Sequence, residues 1–426
     1  MSKPWWRRHF LRAYHPIIAE WEYVDLDAKR LVSDCVLTQA ELIVVNGGGL
    51  FALYPSDIPH HYVSPHLGGR DLLGEITRQA HAYGLRVIAR VDFSKARQTV
   101  WEARPDWFQR QPDGRVARAG EYYVTCPLGG YRNQEFAYAV LREMLERYDL
   151  DGFELHAAGF DGYCSCATCA AAFGEPIPTG EQESDPAIWQ RFVQWRFRAV
   201  AQQVEGYYRY LQGIKEDVFF TAELVGPANP EWAEAAGQHL PALSRSSSQL
   251  SLASAGIGSA RQWRWWTGLA AEQARALRRK RPPLIHVAAQ MRDSKMPRAL
   301  VPPAELAFSC YQALAHGAGV QLETCGLPVN QADPRTMPAV AGVFSLMRQQ
   351  EKVLDGMVPI APVALVWPAD ALGRYALQDE AGWRLRQEFV GLYEGLRARH
   401  LLFELVSDGN LGAKALAVMP INAAFF

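Results

Sequence analysis

Short apolar runs of β character alternate with helical stretches along most of the chain. The runs that predict strands are Pro16–Glu20, Leu42–Asn46, Arg86–Asp92, Gly152–Glu154, Val218–Glu223, Gln249–Leu252, Leu284–Ala289 and Val320–Glu323. Between and after them, helical periodicity predicts Ala28–Thr38, Asp71–Tyr83, Asn133–Tyr148, Ala187–Gln212, Trp263–Arg279, Ala304–His316 and Met337–Val353. Asp71 and Asp185 stand where N-caps belong, and Gly84 and Gly317 follow helices where C-caps belong. The strand candidates are continuous apolar runs without polar alternation, as in Ala40–Val45, which is how buried parallel strands read. Such an alternation of strand and helix predicts a (β/α)8 TIM barrel over residues 1–356, with long insertions. Its weakest strand is the sixth, set in the Ser-, Gly- and Ala-rich stretch Ser244–Ser259. After Asp355-Gly356 the pattern restarts: strand Pro362–Trp367, helix Trp383–His400, strands Leu402–Val406 and Ala415–Met419. This predicts the beginning of a flavodoxin-like, amidotransferase-like α/β domain over 357–426, too short for a complete sheet of that class. The expectation is that the natural protein continues past Phe426.

Composition narrows the partners. With Lys+Arg 44 against Asp+Glu 45, a formal charge of -1 gives no electrostatic reason to expect nucleic acid or an anionic membrane. No apolar run approaches the roughly 18 residues that would span a bilayer, and no apolar region follows the charged start Met1–Phe10. Seven cysteines, three of them within six residues, argue for metal or reduced thiols over a disulfide framework. A cytoplasmic location is the expectation. Thirteen Trp, 17 Tyr and 18 Phe are many, and they would suit either sugar platforms or a large core.

In such a barrel, function gathers at the carboxyl ends of the strands. Acidic residues recur there: Glu20 and Glu22 after strand one, Asp92 after three, Glu154 in four, Glu223 after five and Glu323 after eight, with Asp161 and Asp293 in loops behind. Glycoside cleavage typically uses two carboxyls, about 5–5.5 Å apart for retention or about 6.5–9.5 Å for inversion. The same residues could instead cap helices or pair with arginines. Glu154 and His156 stand two apart in a strand and share a face, so an inward face would set carboxylate and imidazole together at the barrel mouth. Asn46-Gly47-Gly48-Gly49 lacks the spacing of a phosphate loop and predicts a tight turn, with Asn46 a substrate-binding candidate. Tyr54, His60, His61, Tyr62 and His66 in the next loop, and Trp263, Trp265 and Trp266 further on, would line a sugar subsite or simply pack; Tyr54, His61 and Trp266 are the substrate-binding candidates among them. The sharpest local signal is Cys164-Ser165-Cys166-Ala167-Thr168-Cys169, three thiols able to converge on one tetrahedral ion. Cys126, in the adjoining loop, is the best fourth ligand, and zinc the expected metal. Cys35 and Cys310 read as core residues.

From Glu41 to Phe173 the chain resembles the hypothetical glycoside-hydrolase barrels found with a beta-galactosidase trimerisation-type domain. The matching pieces are Val45–Gly49 with Tyr54-Pro55, Asp71–Glu75, Arg86–Lys95, Pro105–Phe108, Thr125-Cys126-Pro127, Tyr148–Gly152, the cysteine cluster, and later Tyr311–Gly317. The part from Pro362 onward resembles the start of the amidotransferase-like domain of family 42 beta-galactosidases. The resemblance implies a glycosidase with a carbohydrate substrate, structural zinc on Cys126, Cys164, Cys166 and Cys169, and a homotrimer. It also subtracts: those enzymes place an Asn-Glu pair at the end of strand four, where this chain has Glu154-Leu155-His156. The usual acid therefore does not carry over. That leaves two expectations: a glycosidase whose carboxylate pair comes from Asp92, Glu154, Asp161, Glu223 and Glu323, or a degenerate barrel that binds carbohydrate or serves assembly. Zinc-dependent nucleic-acid binding is a distant third.

Overall fold

The computed structural model describes residues 4–7, 10–133, 135–180, 185–225, 230–253, 263–278, 281–290, 299–355, 357–374, 381–408 and 416–420. Eight strands close a barrel: β1 Arg12–Ile17, β2 Leu42–Gly49, β3 Arg86–Asp92, β4 Gly152–His156, β5 Phe219–Leu224, β6 Ser251–Ala253, β7 Leu284–Ala288 and β8 Gly319–Cys325. Each pairs in parallel with its sequence neighbours, and β8 closes onto β1. Every crossover carries helix, and the caps are those the sequence marks. Asp71 accepts from the Gly74 amide and Asp185 from the Ala187 and Ile188 amides, while Gly84 and Gly317 take left-handed φ of 75° and 79°.

Two expectations are corrected. β1 begins at Arg12, so Glu20 lies in the helical turn Glu20–Tyr23 beyond it. Arg12 and His15, both polar, hide the start of this strand from an apolar-run reading. Asn46–Gly49 is also no tight turn: it is the bulged end of β2, with a register shift between Asn46 and Gly48. The closeness of backbones explains the glycine. Gly49 has φ 96°, and a Cβ on it would lie 2.2 Å from the Asp92 carbonyl oxygen.

Alternation along the strands sorts the core into two. Outward positions such as Ile43, Val87, Phe153, Phe220, Ile285 and Leu322 are buried beneath the helices. Inward positions near the amino ends (Ala13, Val44, Ile88, Phe219 and Leu284) form an apolar floor sealed by Trp6, whose ring meets Phe219 edge-on at 5.9 Å. This double burial is why the strands read as unbroken apolar runs.

Beyond the barrel, three parallel strands, β9 Val363–Trp367, β10 Phe403–Ser407 and β11 Leu416–Val418, form a small sheet in the order β10-β9-β11. Its Leu365 and Trp367, with Phe389 and Tyr393 of the helix Ala381–Ala398, pack against Trp265, Trp266 and Leu269 of the helix Trp263–Leu277.

Candidate active site

Above the apolar floor the barrel interior becomes charged, where branched aliphatic side chains are the norm. The register sets Arg90 beside Glu154, Asp92 beside His156 and Glu223 beside Ser251. Arg90 Nη2 donates to Glu223 Oε2 at 3.1 Å, and its Nε lies 3.6 Å from Glu154 Oε1. His156 Nδ1 and Glu223 Oε2 are 2.7 Å apart. Deeper still, His286 Nδ1 meets Glu323 Oε1 at 2.9 Å, with His15 Nδ1 3.5 Å from the same oxygen, while His286 Nε2 contacts Ser251 Oγ and stands 3.7 Å from Glu154 Oε2. The site therefore has two tiers. Glu154, Glu323, His286 and His15 are buried, whereas Arg90, Asp92 and His156 line a cleft of about 530 Å³ that opens to solvent.

Charges in this interior hold one another. Burial pushes the Asp92 carboxyl up, but His156, Lys95 and two hydrogen bonds from Ser94 outweigh it, and its pKa lies below the ordinary aspartate value. Burial likewise opposes ionisation of Glu223. The His156 imidazole, Arg90 and His286 overcome it and hold that carboxyl well below the usual range. For His286, burial favours the neutral ring, yet Glu154, Glu323 and Glu223 lift its pKa to about 9. Glu154, Glu223 and His286 offer ligand atoms within 4.8 Å of one another, as a metal site would. Here Arg90 and the protonated His286 already supply the positive charge that an ion would bring.

The cleft wall is aromatic as well as charged. Trp21, Phe51, Tyr62 and Tyr122 line it, together with Asn46, whose Nδ2 donates to Tyr23 Oη at 2.9 Å. Arg97 lies 3.7 Å over the Tyr62 ring and is tied to Glu20 at 2.8 Å. At the top of β4 the chain leaves the strand through Ala157 with φ 50°, a left-handed conformation unusual for alanine.

Other sequence candidates lie elsewhere. Tyr54 is fully buried and donates to Glu143 at 2.9 Å, so its hydroxyl serves the outer core. His61 is buried between Tyr54 and Phe136, its Nε2 accepting from the Gly49 amide at 3.0 Å; it buttresses the β2 end from behind. Trp265 and Trp266 pack at the C-terminal sheet, away from the mouth. Glu22 caps the Ala19 amide, and Asp161 is exposed in the loop after β4 and does not line the cleft. Asp293 lies outside the described residues. Sequence reasoning missed Arg90, His286 and His15. Each occupies an inward alternate position two residues from a position already singled out or facing one, and that periodicity was the available signal.

Next to the cleft is the cysteine cluster. Cys126 Sγ lies 3.4, 3.6 and 3.8 Å from the sulfurs of Cys169, Cys166 and Cys164, all four buried. A tetrahedral ion with bonds of about 2.3 Å needs sulfurs about 3.8 Å apart, so four thiolates would fit a metal with no position left for water. Arg132 joins this cluster's loop to the cleft: Nε donates to Thr125 Oγ1 at 2.7 Å, Nη1 to Gly159 O at 2.6 Å and Nη2 to Ser94 O at 3.0 Å.

Comparison with solved structures shows the same fold. The chain is 16% identical to the cold-adapted beta-galactosidase from Rahnella sp. R3, with a TM-score of 0.75 over 96% of this chain and 67% of that one. Against alpha-L-fucosidase isoenzyme 2 from Paenibacillus thiaminolyticus the identity is 18% and the TM-score 0.66, over 94% of this chain but only 58% of the fucosidase. The glycoside hydrolase domain of PgaB from Bordetella bronchiseptica gives 16% and 0.63, over 79% of this chain and 99% of that domain. No curated protein is similar to the chain in sequence. Over residues 27–157, which hold β2 to β4 and with them Arg90, Asp92, Glu154 and His156, the chain matches the model of the family described as hypothetical glycosyl hydrolase 6.

Proposed function

We propose that this chain is a glycoside hydrolase that works with Asp92 and the His156–Glu223 pair. One observation carries the reading: a carboxylate and a carboxylate-held imidazole stand side by side on β3 and β4, at the base of an aromatic-lined cleft. With Asp92 and Glu223 both held as anions, neither is a proton donor at neutral pH. Imidazole is the side chain that exchanges protons near neutrality. His156 Nδ1 is committed to Glu223, which leaves Nε2 for the glycosidic oxygen, and Glu223 stabilises the ring while it carries the proton. In the reaction that proton goes to the leaving oxygen as its bond to the anomeric carbon breaks. Asp92 faces that carbon as nucleophile or as the base for water. Arg90 keeps Glu223 ionised, and Trp21 and Tyr62 offer ring faces for the sugar.

The four cysteines would hold structural zinc, kept reduced by a compartment such as the cytoplasm, and through Arg132 would brace the Ser94 turn that fixes Asp92. In this reading residues 1–356 are the catalytic unit and 357–426 an accessory α/β unit suited to contacts in a homotrimer. The glycosidase names among the structural relatives and the family match support a carbohydrate substrate.

A binding-only reading has its own support. β4 ends on His156, and β7 runs out through Ala288-Ala289-Gln290 without a carboxylate. A panel of aryl glycosides decides between the two. Aglycone release from one sugar, with the anomer of the first product read by NMR, supports the enzyme and assigns Asp92 its role. Saturable binding without release over long incubation moves the function to binding.

A further inference from the structure

Two arginines are buried against the loops of the cysteine cluster. Arg132, 3% exposed, belongs to the loop that carries Cys126, and its Nε donates to Thr125 Oγ1 at 2.7 Å, one residue before that cysteine. Arg196, 1% exposed, comes from the helix Pro186–Ile214. Its Nη2 donates to Gly162 O at 2.8 Å, two residues before Cys164. Among the described residues, neither guanidinium is ion-paired with a carboxylate.

Arg196 is the sharper case. Its Nε and Nη1 make no hydrogen bond, and the guanidinium lies 5.0, 5.2 and 5.6 Å from the ring centres of Phe160, Tyr163 and Phe192. Ring faces offset only part of what burying an ion costs. Burial pulls the pKa of Arg196 down to about 10, which still leaves it protonated near neutrality. A buried cation that cannot discharge needs an anion beside it. The groups able to supply one are Tyr163, Cys169 and Cys164 for Arg196, and Tyr207, Cys126, Asp92 and Cys164 for Arg132. Phenols stay protonated near neutrality. Thiolates therefore remain for Arg196, and for Arg132 they join Asp92.

As four neutral thiols the cluster would leave Arg196 without a counter-charge. As four thiolates on a divalent ion it carries a net charge of two minus, which two guanidiniums neutralise. The Cys169 amide, 3.4 Å from Cys166 Sγ, donates to the same centre. We infer that Arg132 and Arg196 are the counter-cations of a four-thiolate site for a divalent metal ion, Arg196 acting on the sulfurs through its charge and Arg132 also bracing the Ser94 turn. The inference rests on the metal reading of the cysteines and not on hydrolysis in the cleft.

The test uses the full chain as wild type, Arg196→Gln, which removes the charge, and Arg196→Lys, which keeps it. Zinc affinity is measured by competition with a chelator at neutral pH. It should fall about tenfold or more in Arg196→Gln and stay near the wild-type value in Arg196→Lys. Iron is then loaded in place of zinc and its ferric/ferrous potential read by voltammetry. The reduced centre holds one more negative charge, so the potential should become more negative in Arg196→Gln and stay unchanged in Arg196→Lys. Wild-type affinity and potential in folded Arg196→Gln would overturn the inference. An equal loss in both variants, or weaker zinc binding without a change of potential, would overturn it too, because shape and not charge would then be at work. If Arg196→Gln does not fold, Arg132→Gln and Arg132→Lys are compared in the same two measurements. Wild type that takes up no zinc would remove the metal reading and this inference together, whereas unaltered zinc binding in Arg196→Gln removes the inference alone.

Discussion

The barrel interior is two regions in one cylinder. In its lower half Ala13, Val44, Ile88, Phe219 and Leu284 meet Trp6 in an ordinary dry core. In its upper half the same strands, two residues further on, present His15, Arg90, Thr221 and His286, and then Asp92, Glu223 and Glu323. Both oxygens of Glu154, which is 1% exposed, lack a hydrogen bond there. Charge buried this way rarely adds stability over an apolar filling and becomes costly when one partner is removed. A chain able to build the lower half could have built the upper half the same way. The contrast places folding energy below and, in the proposed reading, chemistry above.

The difference can be broken from either side. Glu223→Gln keeps the volume but removes the anion that His156 and Arg90 share, so turnover per folded molecule should fall by about 10²–10⁴ and the melting temperature should fall as well. Parallel rate and melting measurements check this, and a rate near wild type would remove the pair from the mechanism. Phe219→Ala should do the reverse: about 3–5 kcal/mol of stability lost by denaturant titration, with kcat per folded molecule retained. Beside the upper half, in the loops that follow β3 and β4, stands the cysteine cluster. On the proposed zinc reading, a chelator should lower the melting temperature and also slow turnover, since Arg132 ties that loop to Ser94. Loss of stability with no loss of rate would show that the brace is unnecessary.

The smallest expected effect concerns pH. His286 has a folded pKa of about 9, above the roughly 6.5 of an unfolded chain. The stability it contributes is complete below about pH 6.5 and lost as pH rises through 9. Unfolding measured across that interval should show a decline that His286→Gln abolishes; an unchanged slope would mean that the Glu154–His286–Glu323 network is not charged as described.

Much of this was legible in the sequence. Unbroken apolar strands, Asp71 and Asp185 as caps, and glycines after helices gave the barrel its strands and helices in order, and CxCxxC with Cys126 anticipated the sulfur cluster. That Glu154 and His156 share a face followed from strand alternation, but which face it was did not. The ends of elements were less visible. β1 was displaced because Arg12 and His15 look unlike strand interior, and the Asn46–Gly49 run concealed a bulge whose cause, the Asp92 backbone, lies in another strand. The roles of Tyr54, His61 and Trp266 depended on which side of a loop or helix meets the core. Arg90 and His286 escaped notice because a cation inside a barrel makes sense only once the carboxylates around it are known.

The most direct test of the central claim is the hydrolysis rate of Asp92→Asn beside wild type, on the best aryl glycoside and at matched folded fraction. The account predicts a loss of about a thousandfold or more, with binding of the sugar retained. A rate within a few-fold of wild type would contradict it and remove the charged upper half of the barrel as the seat of catalysis.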